Sequence, residues 1–212
     1  MIKNILMASA FSIFLFSCTK KNELVDAEFP DQKIYMSQAA TANVGPGANG
    51  VYTITSNIEN QAQRFKIDVA GGKLNIPLGI IRAGITTSNA YTFSIVSSTD
   101  TITKLITAGM FAVATDPTLT TELLPASALT IPASVDLADG STQADFMVNV
   151  NLSFLINSLN TTPKKRYAFA VGISNSGKST LVNNVLATTI IFINPTQVIL
   201  PVANFSSYVY ND

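Results

Sequence analysis

The sequence predicts an all-β fold: an antiparallel two-sheet, immunoglobulin-like β-sandwich with short helical turns in its loops. Three observations carry that prediction. Apolar and polar residues alternate with period two in several short stretches. Turn-forming residues separate those stretches at regular intervals. Little of the chain has the spacing of an amphipathic helix.

The strands follow in order along the chain. In "RFKIDV", Phe65, Ile67 and Val69 alternate with Arg64, Lys66 and Asp68. "KLNIPLGI" puts Leu74, Ile76, Leu78 and Ile80 on one side, and "YTFSIV" does so with Tyr91, Phe93 and Ile95. "FMVNVNL" repeats the pattern with Phe146, Val148, Val150 and Leu152. Successive strand side chains point to opposite faces, so such alternation means a sheet with one dry and one wet face. "TTIIFI" at 188–193 is apolar on both faces, as expected of a strand in the middle of the sandwich. The separators are "GPGANG" at 45–50, "AGG" at 70–72, "TSN" at 87–89 and "ADGS" at 138–141, with Asp139-Gly140 suited to a tight hairpin turn. Two stretches have helical spacing, "TKLITAGMF" at 103–111 and "TTELLPASA" at 120–128, the second cut by Pro125.

The N-terminus has a different character. Lys3 precedes an apolar run from Ile5 to Phe16, too short for a membrane-spanning helix, which needs about 20 residues. This is the anatomy of an export signal, and it ends in Leu15-Phe16-Ser17-Cys18, which resembles a bacterial lipobox. Such a signal implies cleavage before the cysteine and acylation of Cys18. The competing readings of Cys18 are a small buried hydrophobe and a spare thiol. Both fit poorly with the only cysteine of the chain lying on the boundary of the apolar run. One acyl chain anchors marginally and two anchor stably. The expected organisation is therefore a signal peptide at 1–17, a lipidated polar tether at 18–32 and a β-sandwich domain at 33–212. The expected location is the cell envelope, as an outer-membrane lipoprotein on its surface or periplasmic face.

Composition narrows the functions. Thirteen basic residues balance thirteen acidic ones, without the basic clustering that nucleic acid requires. Histidine is absent, which removes the commonest general base and metal ligand. With Cys18 lipidated, no disulfide framework remains.

The order "KIYM", "IDVAGGKLNIPLGIIRAG", "LLPASALTIPASV", "ADFMVNVNL", "KKRYAFAVGISN" and "LATTIIFIN" resembles the domain-of-unknown-function 1735 family of Bacteroidetes lipoproteins, over about Ile34 to Asn194. The resemblance implies an all-β sandwich and, by association, polysaccharide use at the envelope. It brings no catalytic residues with it.

One motif points elsewhere. Gly172 to Ser179, "GISNSGKS", matches the phosphate loop G-x-x-x-x-G-K-[ST] in full. That loop works where a strand delivers a glycine-rich turn to the N-terminus of a helix. The downstream "STLVNNVLA" has apolar spacing for two helical turns, with Leu181, Val182, Val185 and Leu186 on one face. That fold needs several more parallel strands and crossover helices, however, whereas everything upstream has the alternation of an antiparallel sheet. The strand "TTIIFI" ends in Asn194-Pro195 rather than in a magnesium-holding acid, and an exported protein meets almost no ATP or GTP. The expectation is no nucleotide and no cofactor, with "GISNSGKSTLVNN" serving as a surface connection.

Other clusters have a plain reading. Asp136, Asp139 and Asp145 lack the alternate-position acids of a calcium loop and read as a charged hairpin tip. Lys164, Lys165 and Arg166 read as charges that keep a strand edge solvated. No pair of carboxylates has the spacing of a glycosidase, so no catalytic residue or metal ligand is assigned. Sugar sites often stack rings on aromatics. Trp is absent, which leaves Tyr208 and Tyr210, on one side of a terminal strand, as the ligand-binding candidates, or as mere cover for a sheet edge. The sequence thus points to a lipid-anchored, non-enzymatic accessory glycan-binding protein of a polysaccharide-utilisation system. Its expected partners are the membrane and a polysaccharide or another envelope protein. The alternative is a structural or adhesive lipoprotein without a sugar site.

Overall fold

The computed structural model describes residues 32–42, 50–54, 65–84, 87–113, 116, 118–175 and 179–199. All of them belong to one compact unit, Asp31–Asp212. The expected signal, Cys18, nearly all of the expected tether, Tyr208 and Tyr210 lie outside the described residues.

Eleven strands are described: β1 (Lys33–Met36), β2 (Val51–Ile54), β3 (Lys66–Asp68), β4 (Lys73–Ala83), β5 (Tyr91–Ser97), β6 (Thr120–Leu123), β7 (Leu129–Thr130), β8 (Ser134–Leu137), β9 (Gln143–Asn151), β10 (Lys165–Ser174) and β11 (Thr188–Ile193). Three short helices join them: α1 (Ser37–Ala42), α2 (Thr99–Thr107) and α3 (Leu152–Ser158). The strands form the two sheets of the expected sandwich. The first has the order β1-β4-β9-β7, with β3 also on β4, and the second β2-β11-β10-β5-β8, with β6 also on β10.

The core is the set of inward positions that the alternation selects. Leu74, Ile76, Leu78 and Ile80 of β4, with Phe146, Val148 and Val150 of β9, meet Phe93, Phe169, Val171, Ile191 and Ile193 of the other sheet. Burying each such side chain contributes about 1.5–3 kcal/mol, which makes this layer the main source of stability. β10 is buried on both faces. Its outer alanines, Ala168 and Ala170, let α2 approach closely enough to seat Ile102 on them. Phe111, just after α2, stacks on Phe192 with ring centroids 5.5 Å apart.

The structure departs from the sequence expectations at several places, each for a local reason. The first sheet is antiparallel throughout, but the second carries two parallel pairs, β6 on β10 and β2 on β11. Each joins strands far apart in the chain, as parallel pairing requires. Residues 120–123 are a strand rather than a helix, because Thr120 and Thr121 pair with Lys165 and Arg166; a 3-10 turn at Ala126–Ala128 follows Pro125. Asp139-Gly140 does form a turn, with Gly140 at φ +76°. It joins β8 to β9, which belong to different sheets, so it is a corner rather than a hairpin. Leu152 starts α3 instead of ending β9, because the Asn151 side chain accepts the Phe154 N–H at 3.0 Å and caps the helix.

The connection after β10 contains no α-helix among its described residues. A 3-10 turn at Ser179–Leu181 leads to Val182, which bridges Ile34 of β1. The Asn183 N–H donates to the Ile34 carbonyl, and the Met36 N–H donates to the Leu186 carbonyl, both at 2.9 Å. This segment therefore covers the outer edge of β1, which would otherwise present unpaired backbone groups.

Candidate functional site

Strands β4 and β9 position the candidate site. Their core-facing residues leave Asn75, Pro77, Gly79 and Ile81 opposite Asn149, Met147, Asp145 and Gln143 on the outer face of the first sheet. β9 pairs with β4 from Lys73 to Ile81, so β3 and β1 share the other edge of β4. Residues 76–79 have no strand partner there. The Gln38 side chain, buried at the start of α1, fills this gap. Its Oε1 accepts the Gly79 N–H at 3.0 Å, and its Nε2 donates to the Pro77 carbonyl at 3.5 Å. Proline is tolerated inside β4 because its missing N–H would face this gap and not a strand.

Beside this plug lies a pocket of about 200 Å³. Ser37, Gln38, Thr41, Tyr52, Gln143 and Asp145 supply its polar wall, over Ile80 and Ile81. The Ser37 hydroxyl donates to Gln38 Oε1 at 2.7 Å and the Thr41 hydroxyl to the Ser37 carbonyl at 3.0 Å. Both hydroxyl protons are therefore engaged while the oxygen lone pairs stay available. Asp145 makes no hydrogen bond or ion pair with any described residue. It is also the only charged residue among the described ones that line the pocket. Gly79 makes room for it: a Cβ at that position would stand 2.5 Å from Asp145 Oδ1 and 3.3 Å from Ser37 Oγ. The described lining is thus rich in acceptors and acidic, with no lysine or arginine among the described residues that form it.

A second concavity, about 490 Å³ and mostly apolar, lies on the opposite sheet between the end of α2 and β6, lined by Ile106, Phe111, Val113 and Leu119 among others. Arg166 underlies this region. Only 6% exposed, it donates to the Phe111 and Leu119 carbonyls, and its guanidinium stands 5.3 Å from the centre of the Phe192 ring. Burial lowers its pKa from the usual arginine value, and Asp116 opposes that shift. Arg166 is therefore an inward clamp and not a solvated edge charge. Of the basic run, Lys165 pairs with Glu122 at 2.8 Å, and that partnership raises its pKa. Lys164 stays exposed.

Arg82 is a second clamp. It is 4% exposed and donates to the carbonyls of Thr87, Ser88, Asn89 and Ala138, with Tyr91 against its guanidinium. It ties the β4–β5 connection to the β8–β9 corner. The sequence held a signal for it: Arg82 continues the inward series Leu74, Ile76, Leu78, Ile80.

The other sequence candidates scatter. Asp136 accepts the Thr92 hydroxyl at 2.6 Å on the second sheet, Asp139 sits in the corner, and Asp145 is on the first sheet. No group of three His, Cys, Asp or Glu residues capable of holding a metal occurs among the described residues. In the phosphate-loop motif, Gly172 is inside β10, flanked by Val96 and Thr188 of two antiparallel neighbours. A Cβ there would stand 2.8 Å from Thr188 Oγ1, so this glycine serves strand packing. Gly177 and Lys178 lie outside the described residues.

No family model matches the chain, and no curated protein does. Similar solved structures come from Bacteroides. A protein of unknown function from Bacteroides ovatus is 15% identical, with a TM-score of 0.46 over 76% of this chain and 43% of its own. A multidomain protein including DUF1735 from Bacteroides ovatus is 17% identical, with a TM-score of 0.48 over 77% and 45%. An auxiliary nutrient binding protein from Bacteroides thetaiotaomicron is 17% identical, with a TM-score of 0.45 over 68% and 44%. The chain spans less than half the length of each of these three.

Proposed function

We propose that this chain is a lipid-anchored, non-enzymatic module of the cell envelope that binds glycan as an accessory to polysaccharide utilisation. It is read as a member of the domain-of-unknown-function 1735 family. The address rests on the export signal ending at Cys18, and the family on the motif order from Ile34 to Asn194. The observation that carries the binding function is the pocket at Asp145. Hydroxyl, amide and carboxylate groups converge there on a space with a half-buried Tyr52 at its side. Sugar hydroxyls are donors and acceptors in a small area, and a few convergent polar groups in a concavity are what orient such a ligand. No nucleotide, metal or catalytic step enters this reading.

The test is binding of purified full-length chain, in detergent, to an array of bacterial and plant polysaccharides. Saturable retention of at least one class supports the reading, and retention of none removes it. The alternative, an adhesive protein without a sugar site, draws on the apolar groove beside Phe111 and Leu119. It predicts a protein partner lost on Leu119→Asp, with no glycan bound.

A further inference from the structure

We infer that the Asp145 pocket takes one uncharged sugar unit and rejects uronic acids. This rests on the glycan reading above and adds the chemical class of the ligand. Four observations lead to it. The solvent-exposed Asp145 carboxylate lies over Gly79 with no hydrogen-bond or ion-pair partner among the described residues, so its oxygens are open to a donor from a ligand. The protein already uses the hydroxyl protons of Ser37 and Thr41, which leaves those oxygens as further acceptors. No lysine or arginine is among the described lining residues to neutralise a ligand carboxylate. A uronate would bring a second negative charge beside the first, and like charges close together disfavour binding. Finally, the volume of about 200 Å³ is below the roughly 300 Å³ at which pockets begin to enclose drug-sized ligands, so it suits one ring and not several.

The chemistry is that of a carboxylate accepting two neighbouring hydroxyls of one ring. A hydrogen bond to a charged group is stronger than one between neutral groups. Gly79 is the positioning element. Its φ is not left-handed, so alanine suits the backbone; the new methyl would stand 2.5 Å from the Asp145 carboxylate, which must move, and 3.3 Å from the Ala144 carbonyl.

The experiment titrates the full-length chain in detergent with neutral oligosaccharides of glucose, mannose and galactose, and with oligogalacturonate of equal length. Wild type is expected to bind at least one neutral oligosaccharide and to bind oligogalacturonate at least about tenfold more weakly. Asp145→Asn should weaken neutral binding by about tenfold and narrow the gap to oligogalacturonate. Gly79→Ala should weaken neutral binding while its thermal midpoint stays close to that of wild type. Preference of wild type for oligogalacturonate overturns the inference but leaves the glycan reading standing. So does neutral binding that neither variant changes. Failure of wild type to bind any of the four sugars or the polysaccharide array removes both.

Discussion

The Gln38 side chain accepts the Gly79 N–H at 3.0 Å and so stands where a strand would otherwise pair with β4. One amide completes the edge that β1 and β3 leave open, and it forms the inner wall of the pocket at the same point. Replacing it with the similarly sized Gln38→Leu leaves the buried Gly79 N–H without a partner. The expected loss of stability is about 1–3 kcal/mol, read as a lower urea midpoint with an unchanged slope.

Arg82 holds four carbonyls from two loops. Arg82→Met removes the charged donors of these four part-buried hydrogen bonds and unties the two loops, which should cost about 3 kcal/mol. Arg82→Lys should recover only part, since an ammonium lacks the planar fork of donors. Thermal unfolding of the three proteins checks the order wild type, lysine, methionine.

Tyr167, 4% exposed and packed on Phe154 at 5.0 Å, has its pKa raised above the usual tyrosine value by burial, with Ser158 opposing. The unfolded chain then releases this proton at a lower pH than the folded one. The stability linked to it is complete below the ordinary pKa of about 10 and is lost as pH rises through the folded value. Tyr167→Phe should flatten the fall in urea midpoint above about pH 10 relative to wild type. Parallel curves would refute the link.

Cys18→Ser should move the protein from the membrane fraction to the soluble one, because acyl chains contribute about 0.8 kcal/mol per buried methylene. Fractionation with metabolic labelling by palmitate is the check, and retention of the variant in the membrane would refute lipid anchoring through this cysteine.

Lys178→Ala should be silent in nucleotide titrations, since wild type is expected to bind neither ATP nor GTP. Binding by wild type that the variant loses would reinstate the phosphate loop as a functional site.

Much of the sandwich was legible because one periodicity reports one physical fact, the side of the sheet that water touches. Leu74 to Ile80, Phe93 with Ile95, and Phe146 to Val150 needed no partner to be identified as core. Partnership was not legible. The parallel placement of Thr120 to Leu123 on β10, and the corner at Asp139-Gly140, depend on which strand ends up beside which. Alternation is the same for either neighbour. Arg82 stood in an inward series and could have been recognised there. Arg166 was hidden in a basic run whose two lysines do face solvent.

The amino-acid order alone carries the expectation of an export signal around Cys18, and it determined the layered β class and the identity of the core, since each depends on residues near one another in the chain. Tertiary structure alone decided the site. Asp145 meets Gly79 only through the β4–β9 register, and Ser37 and Gln38 reach them only because β1 stops short of the middle of β4. A pocket is a relation between distant residues, fixed by hydrogen-bond register and packing, and no local pattern encodes it.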